Sequence, residues 1–146
     1  MSIPAGPVRR VDEAQEAAIA STSPGDQTTM ARYLAILYTR PERWAAVSRE
    51  EMKRIMTEYR AWREGLTARG HLLDGHKLTD DTGRVMRQED GTLRVLDGPF
   101  SESKEVVGGY FAIQADGYDH AVRLFSDCPH LGYGGTVEIR ELDEPR

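Results

Sequence analysis

Ser48 to Leu66 carries one narrow apolar stripe, and that stripe limits what the chain can fold into. Met52, Ile55, Met56, Tyr59, Trp62 and Leu66 recur at three- and four-residue spacing, the period of one helix face. Arg, Lys and Glu fill the other side. A helix that is apolar on one side only must lie against something, and a sheet is the usual partner in a mixed fold. Its start is also written in the chain. Ser48 and Glu51 stand at capping-box spacing, where the serine oxygen accepts from a free first-turn amide and the glutamate reaches back. Gly70 is a natural stop, because glycine takes positive φ at little steric cost. The pattern predicts a helix over 48–69.

The strands it would cover lie on both sides. Met30 to Tyr38 is apolar apart from Arg32 and reads as a buried strand ended by Thr39 to Pro41. Leu72, Leu73 and Leu78 flank Gly75 in a second strand. Arg84 to Arg87 and Leu93 to Leu96 bracket Glu89-Asp90-Gly91, and Asp-Gly between such runs signals a hairpin. Val106 to Ala115 is the next strand, with Gly108-Gly109 predicting a bulge or a close backbone approach. A second helix is expected over 117–127, capped by Asp116, with Ala121, Val122, Leu124 and Phe125 facing inward. Thr136 to Glu141 closes the set, with Val137 and Ile139 on one face and Glu138 and Arg140 on the other. The order is β-α-β-(β-hairpin)-β-α-β. It predicts an α+β fold, a ferredoxin-like split βαβ unit with an inserted β-hairpin. Both helices would cover one face of the sheet. A second copy of the chain would cover the other, so a homodimer is expected.

The chain has 146 residues, enough for one domain with a real core. Residues 1–29 differ from the rest, with Pro4, Gly6, Pro7, Pro24 and Gly25 and no aromatic residue. They read as a flexible N-terminal extension, with Met30 as an alternative start of translation and 30–146 as the domain. The net charge of −5 lacks the basic footprint of a nucleic-acid binder, so no direct nucleic-acid contact is expected. No apolar run approaches the roughly 20 residues of a membrane span. No apolar segment of secretory type follows Arg9 and Arg10. Cys128 is a single cysteine, which excludes an intrachain disulfide and a cysteine zinc site. These features together predict a cytoplasmic protein.

Between Leu96 and Val106 the chain reads Asp97-Gly98-Pro99-Phe100, then Ser101-Glu102-Ser103-Lys104-Glu105. A plain hairpin connection needs roughly two to five residues, and this one is longer and densely charged. The segments RYLAILY, LDGHKL, VLDGPFSESKEVVGGYFAI and CPHLGYGGTVEIREL follow one another from Met30 to Leu142. In this order they resemble the YCII-related, DGPF-containing family. The resemblance implies a dimeric α+β barrel over 30–146, with 1–29 outside it. It implies no single activity. One YCII-related relative resembles a dehalogenating lyase that uses a His–Asp pair. Members of the DGPF branch carry transcription-related labels because they sit near sigma-factor genes.

Asp97 is the first candidate for chemistry. It ends an apolar strand, where a carboxylate beside apolar side chains can serve as a base; an Asp before Gly-Pro also commonly accepts turn amides. Lys104 and Glu105 offer an acid–base pair or an anion clamp, or a solvated ion pair. His71, Asp74 and His76 share one strand, and alternation puts Asp74 and His76 on the same face. That pair suits acid–base work. It supplies too few ligands for a metal, and no HxH or HExxH spacing is present. His120 is expected on a helix surface, and His130 near the DGPF loop. The helix end at Cys128 disfavours a thiolate, so this cysteine reads as a small buried residue. Tyr110 and Phe111 alternate across their strand, so one of them should line a pocket on the sheet face between protomers.

Two functional readings follow. In the first, a small organic molecule binds in a barrel pocket and is acted on by a lyase or isomerase. Asp97, His71 and His76 are then the candidate catalytic residues, and Lys104, Glu105, Tyr110 and His130 the ligand-binding ones. No GxGxxG or phosphate-binding loop is present, so no cofactor is expected. In the second, the chain is a non-catalytic interaction module, such as an accessory to a sigma factor.

Overall fold

A computed structural model describes residues 30–81, 83–98 and 105–144. The expectations for the 1–29 extension and for Lys104 lie outside the described residues. The chain runs β1 (Ala31–Thr39), α1 (Pro41–Ala45), α2 (Arg49–Ala68), β2 (Leu72–Lys77), β3 (Arg84–Glu89) and β4 (Thr92–Asp97). It continues with β5 (Val106–Ala115), α3 (Tyr118–Phe125), α4 (Pro129–Gly132) and β6 (Thr136–Glu141).

Four strands form one antiparallel sheet in the order β2-β5-β1-β6. This is the split βαβ arrangement expected from the element order: β1 and β2 flank β5, and β6 adds beside β1. The fold is α+β. The long helix begins where its capping box predicts, with the Ser48 hydroxyl accepting from the Glu51 amide at 3.2 Å. Gly70 ends it at φ 78°, in the left-handed region that glycine tolerates.

One face of the sheet carries the core. Tyr33, Ala35 and Leu37 of β1 alternate inward beside Phe111, Ile113 and Ala115 of β5. Leu66 of α2 and Ala121, Leu124 and Phe125 of α3 close over them. Trp62 stacks edge-on against Phe111, with ring centroids 5.3 Å apart, and sits 5.1 Å from Phe125. Each large side chain fully buried here stabilises the fold by about 1.5–3 kcal/mol. Residues of opposite phase, among them Leu34, Ile36 and Ala112, stay only partly buried. Among the described residues no helix packs over them.

Two details of the second helix differ from expectation. Its N-cap is Gly117, with no side-chain cap; the Asp116 amide instead donates to His120 Nδ1. Val122 is exposed rather than inward, because Ala121, Leu124 and Phe125 at i, i+3 and i+4 already define the buried face. The short helices α1 and α4 escaped the pattern reading, since each is too brief to show a period.

The inserted hairpin pairs only with itself. Asp90 and Gly91 both have positive φ, 50° and 76°, as a type I′ turn requires. Every residue of β4 is exposed. A lone two-stranded ribbon is marginal in water. Cross-strand ion pairs, Arg84 to Asp97 at 2.9 Å and Arg94 to Glu89 at 2.7 Å, tie its strands together.

The glycine pair in β5 behaves as predicted. Leu37 pairs with Gly109 but Tyr38 pairs with Val107, so Gly108 is the extra residue of a bulge. Gly109 lies against β2, where an added Cβ would sit 2.8 Å from the His76 carbonyl oxygen. Gly109→Ala must therefore push two paired strands apart. Urea unfolding should show a loss of about 1–3 kcal/mol, the usual cost of overpacking. An unchanged midpoint would contradict this account of the β2–β5 contact.

Candidate functional site

The bulged end of the sheet opens onto a cavity of about 290 Å³. Leu37 and Phe111 supply apolar wall from the sheet, and Met56 and Tyr59 supply it from α2. Trp44 of α1 borders it as well, held by a hydrogen bond from its indole N–H to the Thr39 hydroxyl. Arg60 and Arg63 of α2 line the same space, as do His76 and Lys77 of β2, Tyr110 of β5 and His130 of α4. The helix contributes by periodicity: Met56, Tyr59, Arg60 and Arg63 are spaced i, i+3, i+4 and i+7 and share one face.

His130 is the buried polar centre of this region, only 4% exposed. Its Nε2 lies 2.7 Å from the Tyr38 carbonyl oxygen, which can only accept, so Nε2 carries the proton. Nδ1 is then an acceptor, and the Tyr59 hydroxyl 2.8 Å away donates to it. The imidazole is thus a neutral, fixed tautomer. Burial lowers its pKa below the ordinary value. Burial also raises that of the Tyr59 phenol, helped by Cys128 and Tyr133. The ring packs so tightly on Gly135 that a Cβ there would meet Nε2 at 2.2 Å, which accounts for a glycine at that position. Cys128 is buried as expected, its thiol pushed up to about 11 mainly by desolvation.

A second polar group sits at the β2 edge. Asp74 Oδ1 is 3.1 Å from His76 Nε2, and the Tyr110 hydroxyl donates to Asp74 Oδ2 at 2.9 Å. The Tyr110 hydrogen bond, with the Gly75 amide second, holds the Asp74 carboxyl below its usual pKa. The same bond raises the Tyr110 phenol. Unlike the His130 pair this group is open to water, with the His76 side chain 66% exposed.

The structure brings His76, Tyr110 and His130 together around one cavity. The other candidates among the described residues lie elsewhere. Asp97 is 81% exposed at the base of the hairpin, ion-paired to Arg84, and does not line the cavity. Glu105 sits just before β5, near Arg40 Nε at 3.9 Å and the Thr136 hydroxyl at 3.5 Å. His71 precedes β2, about 16 Å of strand from His76, with Nδ1 donating to the Gln114 carbonyl at 3.1 Å. His120 is partly buried rather than on the open surface, its ring edge-on to His71 at 5.0 Å. Tyr59, Arg60, Arg63 and Trp44 went unnoticed as site residues. The helical spacing from Met56 carried the signal for the first three; nothing local marked Trp44. Among the described residues no group of His, Cys, Asp and Glu could hold a metal ion, and no helix is long and apolar enough to cross a membrane.

Removing the Tyr59 hydroxyl strands a buried imidazole acceptor. Tyr59→Phe should cost about 1–3 kcal/mol in denaturant unfolding, and an unchanged stability would contradict the assigned tautomer. A pH dependence follows from the same burial. Desolvation lowers both His130 and His120 from 6.5, while the unfolded chain titrates near that value. Below about 6.5 the unfolded state therefore binds more protons. Stability is fully present above that pH and falls as the pH drops towards the depressed folded values. His130→Gln should flatten this slope between about pH 6.5 and pH 5; an unaltered slope would contradict the buried neutral imidazole.

A protein of Rhizobium meliloti (strain 1021), itself named as uncharacterized, is 29% identical over 112 residues, covering 75% of this chain and 90% of its own length. The YCII-related domain matches residues 31–144, which span β1 to the end of β6 and include every residue of the cavity, so the chain belongs to the YCII-related domain family.

Proposed function

We propose that the chain binds a small organic molecule in the cavity beside the Gly108 bulge and transforms it without a cofactor, as a lyase or isomerase. The observation that carries this reading is the Tyr110–Asp74–His76 chain of hydrogen bonds at the border of an apolar cavity. Asp74 occupies His76 Nε2 and orients the ring. That leaves Nδ1 to take a proton from a bound molecule and return it to another atom or to a leaving group. Asp97 is engaged by Arg84, so in this reading the base is His76. The apolar walls would hold the body of the ligand and exclude water from it.

A screen of small organic compounds by thermal shift tests the site. Some compounds should stabilise the native protein. Met56→Trp, which fills the cavity, should abolish their effect. Once a turned-over compound is found, His76→Gln should reduce turnover by about 10²–10⁴-fold, the scale of general-base loss, with binding kept. Equal responses from native protein and Met56→Trp would contradict the reading.

A homodimer belongs to the same proposal. Leu34, Ile36 and Ala112 lie on a sheet face that no helix covers among the described residues, and a second copy would bury them. Sedimentation at micromolar concentration should give about twice the 16.4 kDa chain mass; a monomer throughout that range would refute it. The non-catalytic reading, an interaction module such as a sigma-factor accessory, draws on the exposed Met86, Leu93 and Val95 of the hairpin. It is favoured if His76→Gln leaves every activity unchanged.

A further inference from the structure

We infer that the cavity selects a small organic anion, a ring-sized carboxylate or its equivalent, held by Arg60 and Arg63. This rests on the reading of the cavity as a ligand site and adds the chemical class of its ligand. The chain is acidic overall, with 24 Asp and Glu against 19 Lys and Arg. Yet among the described residues no carboxylate lines the cavity, while Arg60, Arg63 and Lys77 do. Local charge therefore opposes the net charge, an arrangement that draws in anions.

The two arginines differ from the chain's ion-paired ones. Arg84 is held by Asp97 and Arg94 by Glu89, and Arg54 pairs with Glu51 on the same helix. Arg60 and Arg63 make no ion pair or side-chain hydrogen bond with any described residue, although Glu64 is i+4 from Arg60. Lys77 is already engaged by Asp80 at 3.2 Å and by the Leu78 carbonyl. Two guanidinium forks three residues apart on one helix face suit a carboxylate, which they can grip through paired, charge-assisted hydrogen bonds.

The rest of the cavity sets the ligand's body. Leu37, Met56 and Phe111 offer apolar contact. The deep polar pair brings no charge, because His130 is neutral and the Tyr59 proton is committed to it. A cavity of about 150 Å³ is known to accept benzene. The 290 Å³ here suits one ring with a polar substituent.

Benzoate and its neutral isostere benzamide provide the test, titrated against the native protein by ligand-observed NMR. Benzoate should bind at least about tenfold more tightly, the scale of one charge-assisted hydrogen bond. That margin should shrink with added salt. The Arg60→Gln/Arg63→Gln variant should erase the margin while leaving the melting temperature unchanged. Both positions are exposed on the helix, so the fold is not at stake, and the salt titration needs no variant. Equal binding of the two probes, or a margin that survives the double substitution, overturns the anion inference and leaves the cavity as a ligand site. Failure of both probes to bind the native protein overturns this inference. If the compound screen is also blank, the ligand-site reading falls with it.

Discussion

The ladder between β1 and β5 is the interaction on which the rest depends. It runs from Ala31 opposite Ala115 to Thr39 opposite Val106, and it sits at the centre of the four-stranded sheet. Its inward side chains, Tyr33, Ala35 and Leu37 with Phe111 and Ile113, are the floor on which both long helices settle. β6 adds to the outer edge of β1 and β2 to the outer edge of β5. Any slip of one residue would turn every inward side chain outward. The bulge at Gly108 is therefore confined to the last pairs of the ladder, where the core has already ended. There the two strands lose regular pairing, and there the cavity opens under α2.

Two polar pairs at that opening do different things because their surroundings differ. His130 and Tyr59 share a dry site, so both are held neutral and each satisfies the other. Losing one partner there leaves a buried group unpaired, which costs far more than the net worth of the bond. Asp74 and His76 share a wet site, where a pair adds little stability. The first pair forms part of the cavity wall, and the second stands at its water-exposed border. The hairpin is a third case, an insertion whose ion pairs hold its own strands and whose apolar side chains face water.

Most of the architecture was legible in the residues, and the reasons are specific. The Ser48 cap, the long stripe to Leu66, the Asp90-Gly91 turn and the double glycine in β5 are all local signals, and each produced the element it announced. The resemblance in LDGHKL and GGYFAI pointed to the same domain. The site was legible only in part. The Asp74–His76 pair followed from strand alternation, because residues two apart in a strand share a face. Asp97, the first candidate from the sequence, is exposed and ion-paired to Arg84. Its flanking strand looked apolar, but both faces of β4 meet water, and no local pattern distinguishes a buried ribbon from a lone one. Tyr59 looked like one more core residue, since its pairing with His130 joins positions 71 apart, and such distance leaves no local trace.

The central claim is that the space between α2 and the bulged end of the sheet is where this chain meets its ligand. Backbone amide shift mapping tests it most directly, using whichever compound most stabilises the native protein. The account predicts that the largest shifts fall on 56–63, on His76 and Lys77, and on 108–111, with His130 following. Shifts gathered instead on the β3–β4 hairpin, or on the uncovered face around Leu34 and Ala112, would contradict it.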